Sequence, residues 1–341
     1  MSVGVRLGKL PVPPAARSWW ARFRHPAVLR WCSTAVAFSI VALVGSGGWV
    51  RLSDSGLGCP TWPKCTSGSL VAPDRYHALV EFVNRGVITA VGVLVAVTVV
   101  AALARQPRKR GLVWLAAGLV VGYLGEAVLG GLTVLFKLAP PLVAGHLLLA
   151  MLILADAVVL QHRAGGHRTH RHQPVHATVV WLMQLVIAVM ATGVVIGTVL
   201  TGAGPHSGAP DTRRLALPFG QVAHIHAAVG IFAFGLLVAM WFVLRDVKAS
   251  ALLWRRYWTV VAVMAAQGAI GYATYFSHVQ VDVTELHIVG GAVLLAVLLR
   301  LRLVLERVAP VPAARPAPPV DIVEQTAGQA RRHVRTRPSY R

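Results

Sequence analysis

The chain has 341 residues, 56% of them hydrophobic and only 13% charged. That balance excludes a disordered chain and fits poorly with a water-soluble globule. The net charge of +21 does not make nucleic acid the expected partner, because Lys and Arg collect in the cytoplasmic loops of membrane proteins.

Residues 1–30 are polar and basic, with Arg17, Arg22, Arg24 and Arg30 close to the first apolar run. That run, 31–50, is too long and starts too late for a cleaved signal sequence. It is read as a retained helix, since about 20 apolar residues cross a hydrocarbon core roughly 30 Å thick. Cys32 lies in this run and is read as a packed thiol. The loop 51–80 is rich in Gly, Pro and Ser and carries Cys59 and Cys65. Further spans are predicted at 81–104, 112–135, 142–160, 177–200, 220–244, 256–276 and 283–303. A short basic loop, 105–110, follows the second span. The segment 161–176 holds His162, His167, His170, His172 and His176 among arginines, and is read as a solvated basic linker. The tail 304–341 is rich in Pro and Arg, which predicts disorder and contact with anionic lipid headgroups.

The basic segments 1–30, 105–110, 161–176, 245–256 and the tail all fall on one side of an eight-span chain. The positive-inside rule then puts both termini in the cytoplasm. The segments 51–80, 136–141, 201–219 and 277–282 face outside.

The two halves correspond at an offset of about 140 residues. Gly130–Phe136 falls against Ile270–Phe276, His146 against His287, and Asn84 against His226. Each half crosses the membrane an even number of times, so the copies are parallel. The expected fold is an all-α membrane protein of eight transmembrane helices, arranged as two pseudo-symmetric four-helix bundles. The halves are 31–160 and 177–303.

The marked positions carry chemistry. Imidazole is a common axial ligand of haem iron, and polar groups inside a span are costly enough to be functional suspects. His226 and His287 lie near the outer starts of two helices in one half, as a haem held between helices requires. His224, two residues from His226, points about 200° away on a helix, and the repeat selects His226. Glu81, Asn84 and Arg85 share a helix face. Glu81 and Arg85 form either a local ion pair or a site of proton or cation chemistry. In the second case Arg85 steadies Glu81 or a haem propionate. Cys59 and Cys65 form a structural disulfide or a redox-active pair; two thiols are too few for a typical zinc site. Tyr272, Tyr275 and Phe276 read as membrane-interface anchors.

The stretch Gly47–Pro63 resembles the first-loop signature of haem A synthases. So do Glu81–Arg85, Gly131–Val134 with His146, the loop Gly202–Pro210, His226, and Gln267-Gly268 through His287. The resemblance covers residues 40–303. It implies an enzyme that oxidises a ring methyl of haem O to a formyl group, giving haem A for cytochrome oxidase. It further implies haem b ligated by His226 and His287 in the C-terminal half. The N-terminal half would take the substrate haem, with His146 matching one of its histidines, Asn84 and Arg85 beside it, and Glu81 matching the catalytic glutamate. Cys59 and Cys65 match the family's loop cysteines.

The expected partners are haem O, haem O synthase, oxidase assembly factors, membrane lipid and a second copy of the chain. The expected location is the cell membrane of a bacterium. The chain departs from the family at Asn84, where histidine is usual. The substrate site then has one strong axial ligand, His146, with a weak or open position opposite. His77 substitutes only if the second helix starts earlier than residue 81. The alternative functions are a b-type haem electron carrier and a haem transporter, neither of which needs the first-loop signature.

Overall fold

The computed structural model describes residues 20–165 and 177–305. The tail from 306, residues 1–19 and most of the His-rich linker lie outside the described residues. Eight long helices follow one another: α1 (Pro26–Leu52), α2 (Tyr76–Ala104), α3 (Arg110–Leu135), α4 (Pro140–Ala164), α5 (Ala177–Ala203), α6 (Phe219–Asp246), α7 (Ala251–Phe276) and α8 (Val281–Leu305). All eight are long and apolar enough to cross a membrane, and the described residues contain no strand. Each predicted span is present.

Most helices run past the apolar runs that announce them. Helices α1 and α4 begin at prolines, Pro26 and Pro140, whose missing N–H costs nothing in a first turn. Helix α4 continues to Ala164, into the segment expected to be linker. Helix α2 starts at Tyr76 rather than at residue 81, so His77 is helical.

Four helices stop in the same way. Asp54, Lys137, Lys248 and His278 each follow a helix with φ of 53°, 49°, 49° and 58°. In each case the next N–H donates to a carbonyl five residues back: Ser55 to Val50, Leu138 to Thr133, Ala249 to Leu244 and Val279 to Thr274. This is the Schellman stop, which satisfies a carbonyl the helix end leaves open. The α3–α4 and α7–α8 turns share three backbone hydrogen bonds at an offset of 141 residues, and a second left-handed residue in each, Leu138 and Val279.

Helix neighbours repeat as well. In one half α1 and α3 each pack on α2 and α4; in the other α5 and α7 each pack on α6 and α8. Across the seam, α4 packs on α8 and α5, and α1 packs on α8. Exchanging the halves leaves this pattern unchanged. Two apolar cores result. One is built on Leu29, Val36, Leu119, Leu154 and Ala157, the other on Met183, Leu237, Met240 and Leu298. Both lie away from the end that carries the disulfide loop. The outward surface is apolar, with Trp31, Phe38 and Trp114 largely exposed, as a hydrocarbon surround demands.

The disulfide end is tied across the halves. Arg51, in the last turn of α1, donates through Nη2 to the Thr201 carbonyl at 2.7 Å and through Nε to the His206 carbonyl at 3.0 Å. The Gly56 amide donates to the Gly208 carbonyl at 2.9 Å. The His206 ring sits 3.0 Å from the Val279 carbonyl. Hydrogen bonds from a charged donor contribute about 1.5–3 kcal/mol each. Arg51→Ala should therefore lower stability by about 2–4 kcal/mol, read as an earlier thermal unfolding midpoint of the detergent-solubilised protein.

Candidate functional site

His226 lies two turns into α6 and His287 nearly two turns into α8, on helices that occupy opposite corners of their bundle. Their rings face each other with centroids 6.1 Å apart and planes at 75°. Two metal–nitrogen bonds of about 2 Å each set axial imidazole centroids roughly 6 Å apart, so this spacing admits an iron between the rings. The Nδ1 atoms of both rings, like that of His146, are buried without an aligned side-chain hydrogen bond. The flanking helices make room: a Cβ on Gly197 of α5 would stand 3.2 Å from the His226 ring, and one on Gly271 of α7 would stand 2.9 Å from the His287 ring. The residues present therefore fit a haem held by two histidines. Gln267 of α7 donates to the His287 carbonyl at 2.8 Å and steadies that turn of α8. His224 turns elsewhere, its ring 6.0 Å from that of Tyr275.

The N-terminal half is arranged differently at the matching places. His146 of α4 lies beside Gly130 of α3, whose Cβ would stand 3.4 Å from the ring. Its Nδ1 is 2.5 Å from the Glu126 carboxylate, also on α3. Asn84 of α2 accepts a hydrogen bond from the Ser46 hydroxyl of α1 at 2.7 Å. Asn84 and Ser46 line an otherwise apolar groove of about 500 Å³ with Trp49, Tyr76, Leu79 and Val83.

Glu81 and Arg85 serve the disulfide loop. Cys59 and Cys65 are bonded and fully buried. One Glu81 oxygen accepts from the Cys59 amide at 2.7 Å and the other from Arg85 Nη2 at 2.6 Å. Arg85 also donates to the carbonyls of Cys59, Thr61, Pro63 and Lys64, at 3.1, 3.2, 3.3 and 3.1 Å. The local ion pair is thus present, and Arg85 is bonded to the loop as well as to Glu81. Gly58 sits directly against the His77 carbonyl, where no Cβ fits. His77 itself meets the Ser55 hydroxyl at 2.9 Å and so belongs to the loop's footing. At its far side the loop rests Trp62 on Gly131 of α3, one residue from the glycine beside His146. The loop therefore roofs the N-terminal half from α2 to α3.

Sequence reasoning singled out neither Glu126, Ser46 nor Glu285. Glu285 of α8 crosses the seam to lie against Gly48 of α1. The signal for both acids was available, as carboxylates inside or at the edge of apolar runs. Ser46 carried none, since its role depends on the partner across the helix pair. Among the described residues no cluster of three or more His, Cys, Asp or Glu is placed to hold a bare metal ion.

The family model of COX15-CtaA, described as a cytochrome oxidase assembly protein, matches residues 30–299. The chain belongs to this family. No curated protein matches it. The matched range includes every site residue named here. It makes the protein a multi-pass membrane protein of cytochrome oxidase assembly, and the paired histidines lie within the part that defines the family.

The glycine beside His287 gives a sharp test. Gly271→Ala should displace the ring and lower haem bound per purified chain. Gly268→Ala, where an added Cβ meets nothing within 4 Å, should leave haem content unchanged.

Proposed function

We propose that the protein is a haem A synthase, which oxidises one ring methyl of haem O to a formyl group in successive steps. The observation that carries this reading is the facing pair His226 and His287 in one half of a cytochrome oxidase assembly protein. The long first-loop signature supports it, since neither an electron carrier nor a haem transporter requires that loop.

In this reading His226 and His287 hold haem b, which when bound supplies one-electron chemistry to the membrane site. His146 binds the substrate haem in the N-terminal half. The disulfide loop closes the mouth of that half, with Trp62 packed on Gly131, and limits water there. Glu81 holds a carboxylate at the edge of the same mouth, and in this reading it accepts a proton. Its hydrogen bonds from Cys59 and Arg85 couple its position to the loop, so the disulfide acts by shaping the site. Haem O synthase supplies the substrate, and oxidase assembly factors receive the product. The site belongs to the cell membrane, with both termini cytoplasmic.

Expression in a membrane that contains haem O but makes no haem A tests the reading, with extracted haems separated and identified. Haem A should appear with the native chain. Glu81→Gln keeps an acceptor for the Cys59 amide but loses the charge. It should retain haem b and reduce turnover by about 100-fold, the low end for loss of a positioned acid–base group. A chain that is loaded with haem b and leaves haem O unaltered would overturn the assignment.

A further inference from the structure

The two halves present different surroundings to their marked positions. In the C-terminal half the groups beside the facing imidazoles are neutral: Gly197 at the His226 ring and Gly271 at the His287 ring, with the Gln267 side chain on the His287 backbone carbonyl. In the N-terminal half Glu126 stands at the position 141 residues before Gln267, and its carboxylate is 2.5 Å from His146 Nδ1. Ser46 touches Asn84 as Gly197 touches His226, and donates to Asn84 Oδ1 at 2.7 Å.

These contacts have opposite effects on the two sides of a bound haem. Glu126 lies close to His146 Nδ1 without an aligned hydrogen bond; a carboxylate that closes on Nδ1 of an imidazole favours the tautomer that leaves Nε2 for a metal and raises its donor strength. The Ser46 hydroxyl takes up one lone pair of Asn84 Oδ1, and a neutral amide, whose Nδ2 hydrogens donate but do not ligate, is a far weaker iron ligand than an imidazole. The hydroxyl also occupies space that the matching glycine leaves to an imidazole.

We propose that Glu126 and Ser46 make the N-terminal half a single-histidine haem site. Glu126 is the positioning residue for His146, the one axial ligand. Ser46 holds the Asn84 amide at the position that corresponds to His226 in the other half, so by that correspondence the second side is left for a small exogenous ligand of the diatomic class. The C-terminal half, with two histidines and neutral neighbours, is closed to such a ligand. The inference rests on the N-terminal half taking a haem, and goes beyond the synthase reading in assigning how the two sites differ.

The test uses the full-length purified chain, reconstituted with excess haem, reduced and exposed to carbon monoxide. Two haems per chain are expected, one low-spin and silent to the gas, the other five-coordinate and carbon monoxide-binding. The His146→Ala variant should lose the binding component, while His226→Ala should keep it. The double variant Ser46→Gly with Asn84→His should turn that haem low-spin and silent. Glu126→Gln should shift the iron–histidine stretching band of the five-coordinate haem to lower frequency and weaken haem retention in that half about tenfold. Bound haem that is wholly low-spin and silent in the native chain, or one haem per chain at saturation, overturns the proposal. So does a Glu126→Gln protein whose stretching band and retention are unchanged. Haem A formation, measured separately, decides the synthase reading. A carbon monoxide-binding site in a chain that makes no haem A would keep this inference and remove that one.

Discussion

The approach of imidazole rings to helix backbones at Gly197 and Gly271 is the contact on which the C-terminal half depends. Two histidines on opposite corners of a four-helix ring can face each other at 6.1 Å only if the intervening helices lack side chains at that level. A methyl group at Gly271 would stand 2.9 Å from the His287 ring, closer than a carbon contact tolerates. Tight apolar packing is therefore moved to the other end of the bundle, where Met183, Leu237, Met240 and Leu298 are almost fully buried. Stability and chemistry occupy different depths of the same helices. The closed end holds the helices in register, and the open end keeps a slot whose width the glycines set.

The N-terminal half meets a further constraint at its mouth. The loop between α1 and α2 is long and has no regular secondary structure of its own, so it needs attachments. Arg85 supplies them by donating to four loop carbonyls while remaining paired to Glu81. A guanidinium suits this task because its donors diverge within one plane. Glu81 completes the clamp through the Cys59 amide, and the Cys59–Cys65 bond keeps the segment compact enough for one arginine to span it. The carboxylate closest to the mouth is thus part of the loop's mounting, which links loop geometry to any proton chemistry Glu81 performs.

Much of this was legible in the sequence, for physical reasons that differ from feature to feature. Eight spans could be read because lipid imposes both length and hydropathy on a helix. The offset that pairs His146 with His287 also pairs the turn Lys137–Leu138 with His278–Val279, and the structure gives the two amides of each turn the same backbone acceptors. The α2 start was misplaced because Tyr76–Val80 does not look apolar enough to announce a span, yet it continues the helix as footing for the loop. Arg85's true partners were invisible because they are carbonyls, which leave no trace in side-chain identity. Glu126 is visible in the sequence as a carboxylate between apolar turns, a rarer sign than a histidine near a helix end.

A duplicated scaffold explains how the two halves come to differ by so little. The backbone turns, the helix neighbours and the glycine beside the last histidine are kept in both copies. Three changes separate them at the site: Asn84 against His226, Ser46 against Gly197, and Glu126 against Gln267. Each is conservative in volume or shape, so each can be made without disturbing the closed end of the bundle. Together they replace two equivalent imidazoles with one charged-backed imidazole and one fixed amide. A cofactor that must only exchange electrons is best held by two matched ligands that do not move. On the reading proposed above, a substrate that must react and leave would be held from one side, which is the direction in which the N-terminal half departs from its copy.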